Sequence, residues 1–366
     1  MSKRIELLTV FCLAFVLLCT ASATAKSYDY DHDPYVQNVT KNNATIMWQT
    51  SVSADSMVEF GLTTSYGNSV YDSTETNFHE VVIGGLDPDT PYHYRTSHDD
   101  GSGPVYSADS AFVTAPAGTT PFTLVAHTDS QTYADIYSDV CNSSLALGPQ
   151  LAIHCGDITA INTDEQWNDL YFTPAAPLIR EVPMYPSMGN HERSGANRYL
   201  YFDVPDGGGK EAEQWYSFDY SNVHLISLDT NANFSPGSDQ YEWLVNDLES
   251  TTAEWIFVYH HEPAYNSWST YDDVINYIVP LCEQYDVDIS FSGHIHFYER
   301  SYKDGVYYIV VGNSGGDMWE PRYDNPYGQY AEACWGFVSV SVDGSTATIE
   351  GRYQDGAVFD TCVISH

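Results

Sequence analysis

Basic residues are scarce in this sequence. Its 366 residues include 13 Lys and Arg against 50 Asp and Glu, which gives a formal net charge of −37. A surface that binds nucleic acid needs clustered Lys and Arg to neutralise phosphates, so the composition argues against a nucleic-acid partner. The excess of carboxylates indicates a strongly solvated surface, but net charge identifies neither a fold nor a chemistry.

Long apolar runs are equally scarce. The one candidate, residues 7–19, follows Lys3 and Arg4 and precedes small residues that end at Ala25. This order is typical of a cleaved secretory signal, and the run is shorter than the about 20 residues that an uncleaved membrane anchor needs. Residues 1–25 are therefore predicted to be a signal peptide. The mature chain is predicted to be secreted, periplasmic or on the cell surface, without a stable membrane anchor. Four sequons fit an exported glycoprotein: Asn38, Asn43, Asn142 and Asn233.

Cysteine is rare, and no two cysteines have the close spacing of a zinc site. Two of the seven lie in the predicted signal peptide, and the others are Cys141, Cys155, Cys282, Cys334 and Cys362. Because five is an odd number, at least one of them has no partner within the chain. Cys155 belongs to the apolar run 151–155 and is predicted to stay reduced as a small core residue.

The first part of the mature chain, residues 27–116, lacks helical periodicity. Short alternating segments bounded by turn residues predict an all-β domain, with strands at 44–50, 56–60, 80–83, 92–96 and 110–114. The segment 86–94 resembles the corner before a late strand in fibronectin type III domains. We therefore expect a fibronectin type III-like sandwich, followed by a linker at 114–121.

The second part, residues 117–366, alternates apolar strands with amphipathic helices and predicts a layered α/β domain. Strands are predicted at 122–126, 151–155, 223–228, 255–259, 289–292 and 307–311, and helices near 164–171, 239–249 and 271–285. Further alternation at 336–364 predicts that antiparallel strands complete the sheets.

Polar clusters follow five successive apolar runs of this second domain. They are Asp129, Gly156-Asp157, Gly189-Asn190-His191-Glu192, His260-His261-Glu262 and Gly293-His294-Ile295-His296. Because ligands of an α/β sheet bind beyond the carboxyl ends of its strands, we expect these clusters to converge. Carboxylate, amide and imidazole ligands together suit Zn, Fe or Mn. The glycines are expected to let the backbone turn sharply close to the metals.

These clusters resemble those of the calcineurin-like metallophosphoesterases, and of the purple acid phosphatase branch in particular. The closer match is carried by residues 293–301 (GHIHFYERS), by 215–217 and 222–224, by 240–244, and by the preceding fibronectin-like domain. The resemblance implies a four-layer αββα sandwich. It also implies an acid phosphatase-like hydrolase that cleaves small phosphorylated substrates, namely phosphomonoesters, by attack of a metal-bound hydroxide.

Carried over by position, the resemblance gives two ligand sets. The first metal takes Asp129, Asp157 and His296, and the second takes Asp157, Asn190, His261 and His294, so that Asp157 bridges. His261 is preferred to His260 because it stands two residues before Pro263, as the family's ligand does. His191 is expected to face the phosphate as a donor or general acid. Tyr271 either joins Asn190 and His191 in binding substrate or packs at the start of a helix.

The sequence departs from the family pattern at the first metal. The tyrosine that ligates ferric iron in the purple enzymes is replaced by Ala160, and no glycine or histidine stands at Gln131. One protein ligand is therefore missing, unless Gln131, Tyr133 or a water supplies it. We expect two divalent or mixed-valence ions of Fe, Zn or Mn and a colourless protein, which puts a ferric purple centre in doubt.

Other residues near the clusters leave alternatives open. Glu192 is expected to orient its loop, and Arg300 to anchor the His-X-His loop through a carboxylate. Arg193 and Arg198 either reach an anionic substrate or form surface salt bridges. A rival function is an exported adhesion or matrix-assembly protein that retains a degenerate phosphoesterase scaffold, with its 30 tyrosines on an acidic surface. Ala160 favours that rival, whereas His191 and the complete second ligand set favour the enzyme.

Overall fold

The structure, a computed structural model, describes residues 30–192 and 197–366. The predicted signal peptide at 1–25 and Arg193 lie outside these residues. Within the described part of the chain, no helix has the length and apolar character needed to cross a membrane.

The first domain is an all-antiparallel β-sandwich, as predicted. Its six strands are β1 Tyr30–Gln37, β2 Asn43–Gly61, β3 Asn68–Gly84, β4 Pro91–His98, β5 Val105–Tyr106 and β6 Ser110–Val113. The two strands predicted at 44–50 and 56–60 are one strand, β2. Register shifts between Gln49 and Ser56 locally disrupt its pairing with β3, and such irregularities bend a strand. The bend lets Trp48 and Val58 enter the same buried core.

The second domain contains two mixed sheets. Its strands are β7 Phe122–His127, β8 Leu151–His154, β9 Met184–Pro186, β10 Tyr216–Tyr220, β11 Val223–Ser227, β12 Trp255–Tyr259, β13 Ile289–Ser292, β14 Tyr298–Lys303, β15 Val306–Val311, β16 Gly328–Glu332, β17 Gly336–Asp343, β18 Thr346–Tyr353 and β19 Val358–Ser365. One sheet has the order β19-β18-β17-β7-β8-β9, and the other has the order β10-β11-β12-β13-β15-β14-β16. The β7-β8-β9 and β11-β12-β13-β15 segments are parallel.

Six α-helices accompany these sheets in the described residues. They are α1 Ala134–Leu145, α2 Asp164–Trp167, α3 Thr173–Ile179, α4 Asn197–Tyr201, α5 Asp239–Ser250 and α6 Val279–Gln284. Single π-helical turns at Asn168–Phe172 and Val274–Ile278 lie beside α2 and α6, and a 3₁₀ turn occupies Lys210–Ala212. The helices predicted near 164–171 and 271–285 therefore exist but include π turns, and α1 was not predicted.

The order of the layers in the second domain can be read from its two hydrophobic cores. Phe257 and Ile309 of the second sheet pack against the first sheet, whereas Val258 and Tyr308, their neighbours in sequence, pack against α5 and α6. Buried side chains of α1 and α3 cover the other side of the first sheet. This arrangement is the four-layer αββα sandwich that the sequence analysis expected. The β-sandwich docks onto it through Tyr35, whose hydroxyl donates to the Tyr201 carbonyl at 2.9 Å.

Candidate metal centre

The five polar clusters meet at the carboxyl ends of the parallel strands. Asp129 follows β7, Asp157 follows β8, and His261 follows β12. Backbone hydrogen bonds join the loops, from Asp129 N–H to Gly156 O at 3.0 Å and from Gly293 N–H to His261 O at 2.9 Å. The convergence expected from the strand-end rule is therefore present.

Three side chains of this centre project from unusual backbone. Asp129, Asp157 and His294 have φ values of 48°, 56° and 68°, in the left-handed region. Non-glycine residues seldom adopt this region, and strained residues of this kind concentrate at functional sites. The loops therefore hold these side chains in place at a cost in backbone energy.

Three side chains converge on His261. Its Nε2 lies 3.1 Å from Asp157 Oδ2, 3.1 Å from Asn190 Oδ1 and 3.1 Å from His294 Nδ1. The ligand atoms that Asp157, His261 and His294 offer all lie within 4.8 Å of one another. This is the set that the sequence analysis gave to the second metal.

The surroundings of His261 favour a positive charge at the centre of this set. His261 is fully buried, and its Nδ1 lies 2.8 Å from the Cys155 carbonyl, to which it donates. Nε2 therefore faces the Asp157 and Asn190 oxygens, which are acceptors. Burial opposes protonation of His261, but the Asp157 carboxylate raises its pKa to about 10, so that without a metal a proton sits there. The donor set fits a cation, which would replace that proton.

A second group of ligand candidates surrounds His296. Its Nδ1 donates to the Asp317 carbonyl at 2.6 Å, which leaves the Nε2 lone pair 3.4 Å from Asp129 Oδ1. Asp129 is fully buried, and its Oδ1 has no hydrogen-bond partner. An orphaned carboxylate oxygen beside an imidazole lone pair also fits a cation. Ser130 N–H, which bonds to Asp157 O at 3.0 Å, links the two groups.

His191 stands at the edge of the centre with its ring held in place. Nδ1 donates to the Ala160 carbonyl at 2.6 Å, and the backbone N–H donates to Asp157 Oδ1 at 2.9 Å. Its Nε2 lies 3.7 Å from Asp157 Oδ2, and the His191 side chain is 38% exposed. Ala160, which replaces the usual tyrosine, thus contributes its backbone rather than a metal ligand.

Tyr271 also reaches the centre. Its ring meets the His294 ring edge-on, with 5.3 Å between centroids. Burial raises the pKa of Tyr271 to about 12, so that the phenol stays neutral and able to donate a proton. It also packs against the apolar side chains beside the His-X-His loop, which is the packing role that the sequence left open.

Residues expected to support the loops do so. Glu192 is buried and accepts three backbone N–H groups of two ligand loops. Arg300 makes a two-pronged ion pair with Asp360, at 2.7 and 2.9 Å. His260 turns away from the cluster, with Nδ1 on the Glu262 carbonyl and Nε2 on Ser290 Oγ. Arg198 is buried and donates to the Pro186 carbonyl at 3.3 Å. The prediction that it forms a surface salt bridge is therefore wrong.

The loop after β15 contributes to the site and was not predicted from the sequence. Buried Asn313 bonds to backbone groups of Gly315, Gly316 and Asp317, and so shapes the loop that positions His296. The Gly315-Gly316 pair could have indicated this loop from the sequence, because it follows an apolar strand as the other site loops do. Trp319 of this loop stacks on the His296 ring, with 4.3 Å between centroids. Trp268, from the segment after β12, stacks on Trp319 at 4.6 Å, and the Arg322 guanidinium covers the Trp268 ring.

All five cysteines of the described residues are free thiols. Cys155 is buried and reduced, as predicted, and burial raises the pKa of its thiol well above the usual value.

Comparison with known families agrees with this geometry. Residues 33–114 match the N-terminal domain of purple acid phosphatases, and residues 127–298 match the calcineurin-like phosphoesterases. The second match spans all the ligand candidates from Asp129 to His296. The second domain belongs to the calcineurin-like phosphoesterases. The first domain is similar to the N-terminal domain of their purple acid phosphatase branch.

Curated relatives extend over most of the chain. Purple acid phosphatase 18 of Arabidopsis thaliana is 27% identical over 346 residues, which cover 85% of this chain and 75% of the relative. Probable inactive purple acid phosphatase 1 of the same plant is 26% identical over 352 residues, which cover 78% of this chain and 57% of the relative. The fold is similar to that of a purple acid phosphatase from yellow lupin (Lupinus luteus) seeds. That similarity has a TM-score of 0.80 at 20% identity and covers 91% of this chain and 74% of the lupin chain.

Proposed function

We propose that this calcineurin-like phosphoesterase is a secreted, binuclear metal-dependent enzyme that hydrolyses phosphomonoesters. The observation that carries the proposal is the surroundings of His261 Nε2, which has a carboxylate oxygen, an amide oxygen and an imidazole nitrogen at 3.1 Å each. Such a set of donors around a buried nitrogen is suited to a transition metal. The secreted location rests on the signal-peptide pattern of residues 1–25.

The ligand sets are those expected from the sequence. Asp129, Asp157 and His296 would hold the first ion, and Asp157, Asn190, His261 and His294 would hold the second. Asp157 suits the bridging position because burial, which alone would raise its pKa, is outweighed by His261 and His191, and its pKa falls to about 2. The carboxylate is therefore ionised across the physiological range.

The residues at the edge of the centre divide the remaining tasks. Two bound ions supply an activated water and neutralise charge on the phosphoryl oxygens. His191 is held through Nδ1, so that in its protonated form Nε2 offers a proton to the leaving-group oxygen. The Asn190 amide and the neutral Tyr271 phenol are donors for the phosphoryl oxygens. The products are phosphate and an alcohol.

The metals are expected to be Zn, Mn or Fe(II). Since Ala160 has no phenolate to offer, purified protein should lack the visible phenolate-to-iron absorption of a purple centre. A strong band of that kind in native protein would contradict this assignment.

Metal analysis combined with hydrolysis of p-nitrophenyl phosphate tests the function. Asp157→Asn should lose bound metal and at least about a thousandfold in kcat/KM, because both ions share this residue. His191→Ala should keep its metal and lose about a hundredfold or more in kcat. His93→Gln, an exposed histidine paired to Asp109 in the β-sandwich, is the matched control and should match the native protein.

The rival is an exported adhesion or assembly protein on a degenerate phosphoesterase scaffold. Ala160 favours it, as does similarity to relatives named probable inactive purple acid phosphatases. The same assay separates the two functions. A chain that releases no phosphate under any of Zn, Mn or Fe(II) would refute the enzyme and leave the scaffold.

A further inference from the structure

Gln131 lies two residues after Asp129 and is 5% exposed. The turn that carries it is fixed on both sides. Asp129 N–H and Ser130 N–H bond to the Gly156 and Asp157 carbonyls, and Tyr133 N–H bonds to the Gly315 carbonyl at 2.7 Å. The side chain is therefore held between the loop of Asp157 and the loop that positions His296.

The amide of Gln131 has an unsatisfied oxygen. Its Oε1 is buried without a hydrogen-bond partner, and its Nε2 lies 3.5 Å from His296 Nε2. Buried polar atoms almost always have a partner, so an orphaned oxygen requires an explanation. Asp129 Oδ1, at 3.4 Å from the same His296 nitrogen, is orphaned as well. Two buried oxygens without donors thus belong to two side chains that both approach His296 Nε2.

An amide is nearly the same shape when its oxygen and nitrogen are exchanged. A cation bound to His296 Nε2 would occupy the lone pair that the Gln131 N–H faces and would repel that N–H. Rotation of the amide by half a turn would then turn Oε1 toward the cation. Neutral amide oxygens are ordinary ligands of hard and borderline metals.

The other candidates for the missing ligand of the first metal, Tyr133 and Ala160, make contacts elsewhere. Tyr133 is 41% exposed, and its hydroxyl donates to Asp317 Oδ1 at 3.0 Å. Ala160 has no donor side chain, and its carbonyl accepts from His191.

We propose that Gln131 is a protein ligand of the first metal through Oε1, in the position left open by Ala160. The inference rests on the two-metal centre of the proposed function and adds a ligand to it. A neutral amide contributes no negative charge, so the first site holds a divalent ion and exchanges it more readily than a site with a phenolate. Gln131 thus adds a ligand without the negative charge that the absent phenolate would have supplied.

Calorimetric titration of metal-free protein with Zn²⁺ or Mn²⁺, together with elemental analysis after gel filtration, tests the proposal without turnover. Native protein should bind two ions. Gln131→Leu, which keeps the volume and removes the oxygen, should weaken one site at least tenfold and retain about one ion per chain. Gln131→Glu should retain both sites and favour a trivalent ion at the first. Tyr133→Phe is the matched control and should bind as the native protein does.

The proposal is overturned if Gln131→Leu binds two ions with native affinity, or if Tyr133→Phe weakens binding as much as Gln131→Leu. If Gln131→Leu does not fold, as judged by circular dichroism, then Gln131→Glu decides: unchanged preference between divalent and trivalent ions overturns the assignment. A native chain that binds two ions but cleaves no ester refutes the proposed function and leaves the ligand assignment standing. A native chain that binds no ion refutes both.

Discussion

Glu192 illustrates how a buried residue outside the proposed ligand sets positions the ligand candidates. Its Oε2 accepts from Asp157 N–H at 3.0 Å and Gly189 N–H at 3.1 Å, and its Oε1 accepts from Thr159 N–H at 2.9 Å. One buried carboxylate therefore ties the loop after β8 to the loop after β9. The relative position of Asp157 and Asn190 depends on this tie.

Glu192→Ala should cost about 3 kcal/mol in free energy of unfolding, because three buried N–H groups lose their acceptor. Metal affinity should fall about tenfold to a hundredfold, as it does when residues that orient ligands are removed. Denaturant titration and calorimetry measure both. Glu165→Ala, an exposed glutamate, should change neither quantity. Native metal affinity in Glu192→Ala would contradict the positioning role.

At the scale of strands and loops, the site needs close backbone contact between neighbouring turns. A Cβ atom at Gly189 would lie 2.0 Å from Asp157 N, and one at Gly293 would lie 1.8 Å from Thr128 Oγ1. The loops can approach each other only because these two positions carry no side chain. The sequence led us to expect that glycine lets the backbone turn close to the metals, whereas these distances concern the approach of one loop to another.

Gly189→Ala should reduce kcat/KM at least tenfold and lower the free energy of unfolding by about 2 kcal/mol or more, since the backbone of Asp157 must move. Activity assays and thermal unfolding check this. Gly118→Ala supplies the comparison, because its Cβ would meet nothing within 4 Å. Equal behaviour of the two variants would show that the contact is unimportant.

The hairpin of β10 and β11 packs on α5 through a buried histidine. His224 Nδ1 lies 2.7 Å from Asp219 Oδ1, and Nε2 lies 2.8 Å from Asp247 Oδ2. Burial opposes its charge, but the two carboxylates raise the pKa of His224 to about 9. The resulting stabilisation is fully present below the unfolded pKa of about 6.5 and is lost as the pH rises through about 9.

His224→Gln should therefore lower the free energy of unfolding by about 1–2 kcal/mol at pH 6, a value discounted for the exposure of Asp219, and by less at pH 10. Denaturant titration at both pH values measures the difference. His93→Gln removes an exposed histidine–aspartate pair and should have little effect at either pH. A pH-independent loss in His224→Gln would contradict the assigned charge.

Much of the fold and centre was predictable because both follow local rules. Apolar strands followed by Asp157, His261 and His294 are visible in the sequence, and parallel strands bring their ends together. Side-chain direction was not predictable, so Gln131 and Tyr133, which share one turn, stayed equivalent until the structure showed Tyr133 bonded to Asp317. The burial of Arg198 was also missed, because it depends on distant contacts with the chain near Pro186.

The predictions of helices and strands were wrong where tertiary contacts override the local sequence pattern. In α1 the buried residues Tyr137, Val140, Cys141 and Ser144 have helical spacing, but the serine and the surrounding polar residues weaken the apolar signal. Ser144 is buried because its hydroxyl bonds to His127 Nε2 at 2.8 Å. The continuity of β2 depends likewise on its pairing with β3, which no local pattern encodes.

At the scale of the whole molecule, the proposed function would need the positive charge that draws in an anionic substrate to come from the metals. Most of the Arg and Lys side chains that the structure describes in the second domain are used in ion pairs, as in Arg300–Asp360, Lys303–Glu283 and Arg352–Glu350. With a net charge of −37, the surface beyond the centre repels phosphate esters.

Activity should therefore rise with salt. Between low ionic strength and about 0.15 M, where the screening length falls to about 8 Å, kcat/KM for p-nitrophenyl phosphate should increase. The increase should be steeper for a dianionic monoester than for a monoanionic diester, which serves as the comparison. A steady fall of kcat/KM over this range would contradict long-range repulsion.

The ring stack beside the centre gives the protein an optical reporter of its own metal content. Trp319 lies face to face with His296, at 4.3 Å and 15°. An excited indole is sensitive to the charge on a ring stacked against it, so an ion on His296 should change the light that Trp319 emits. The emission change on metal addition should persist in a Trp255→Phe variant and vanish in Trp319→Phe. Filling of the first site could then be followed in real time, without a substrate and without an added dye.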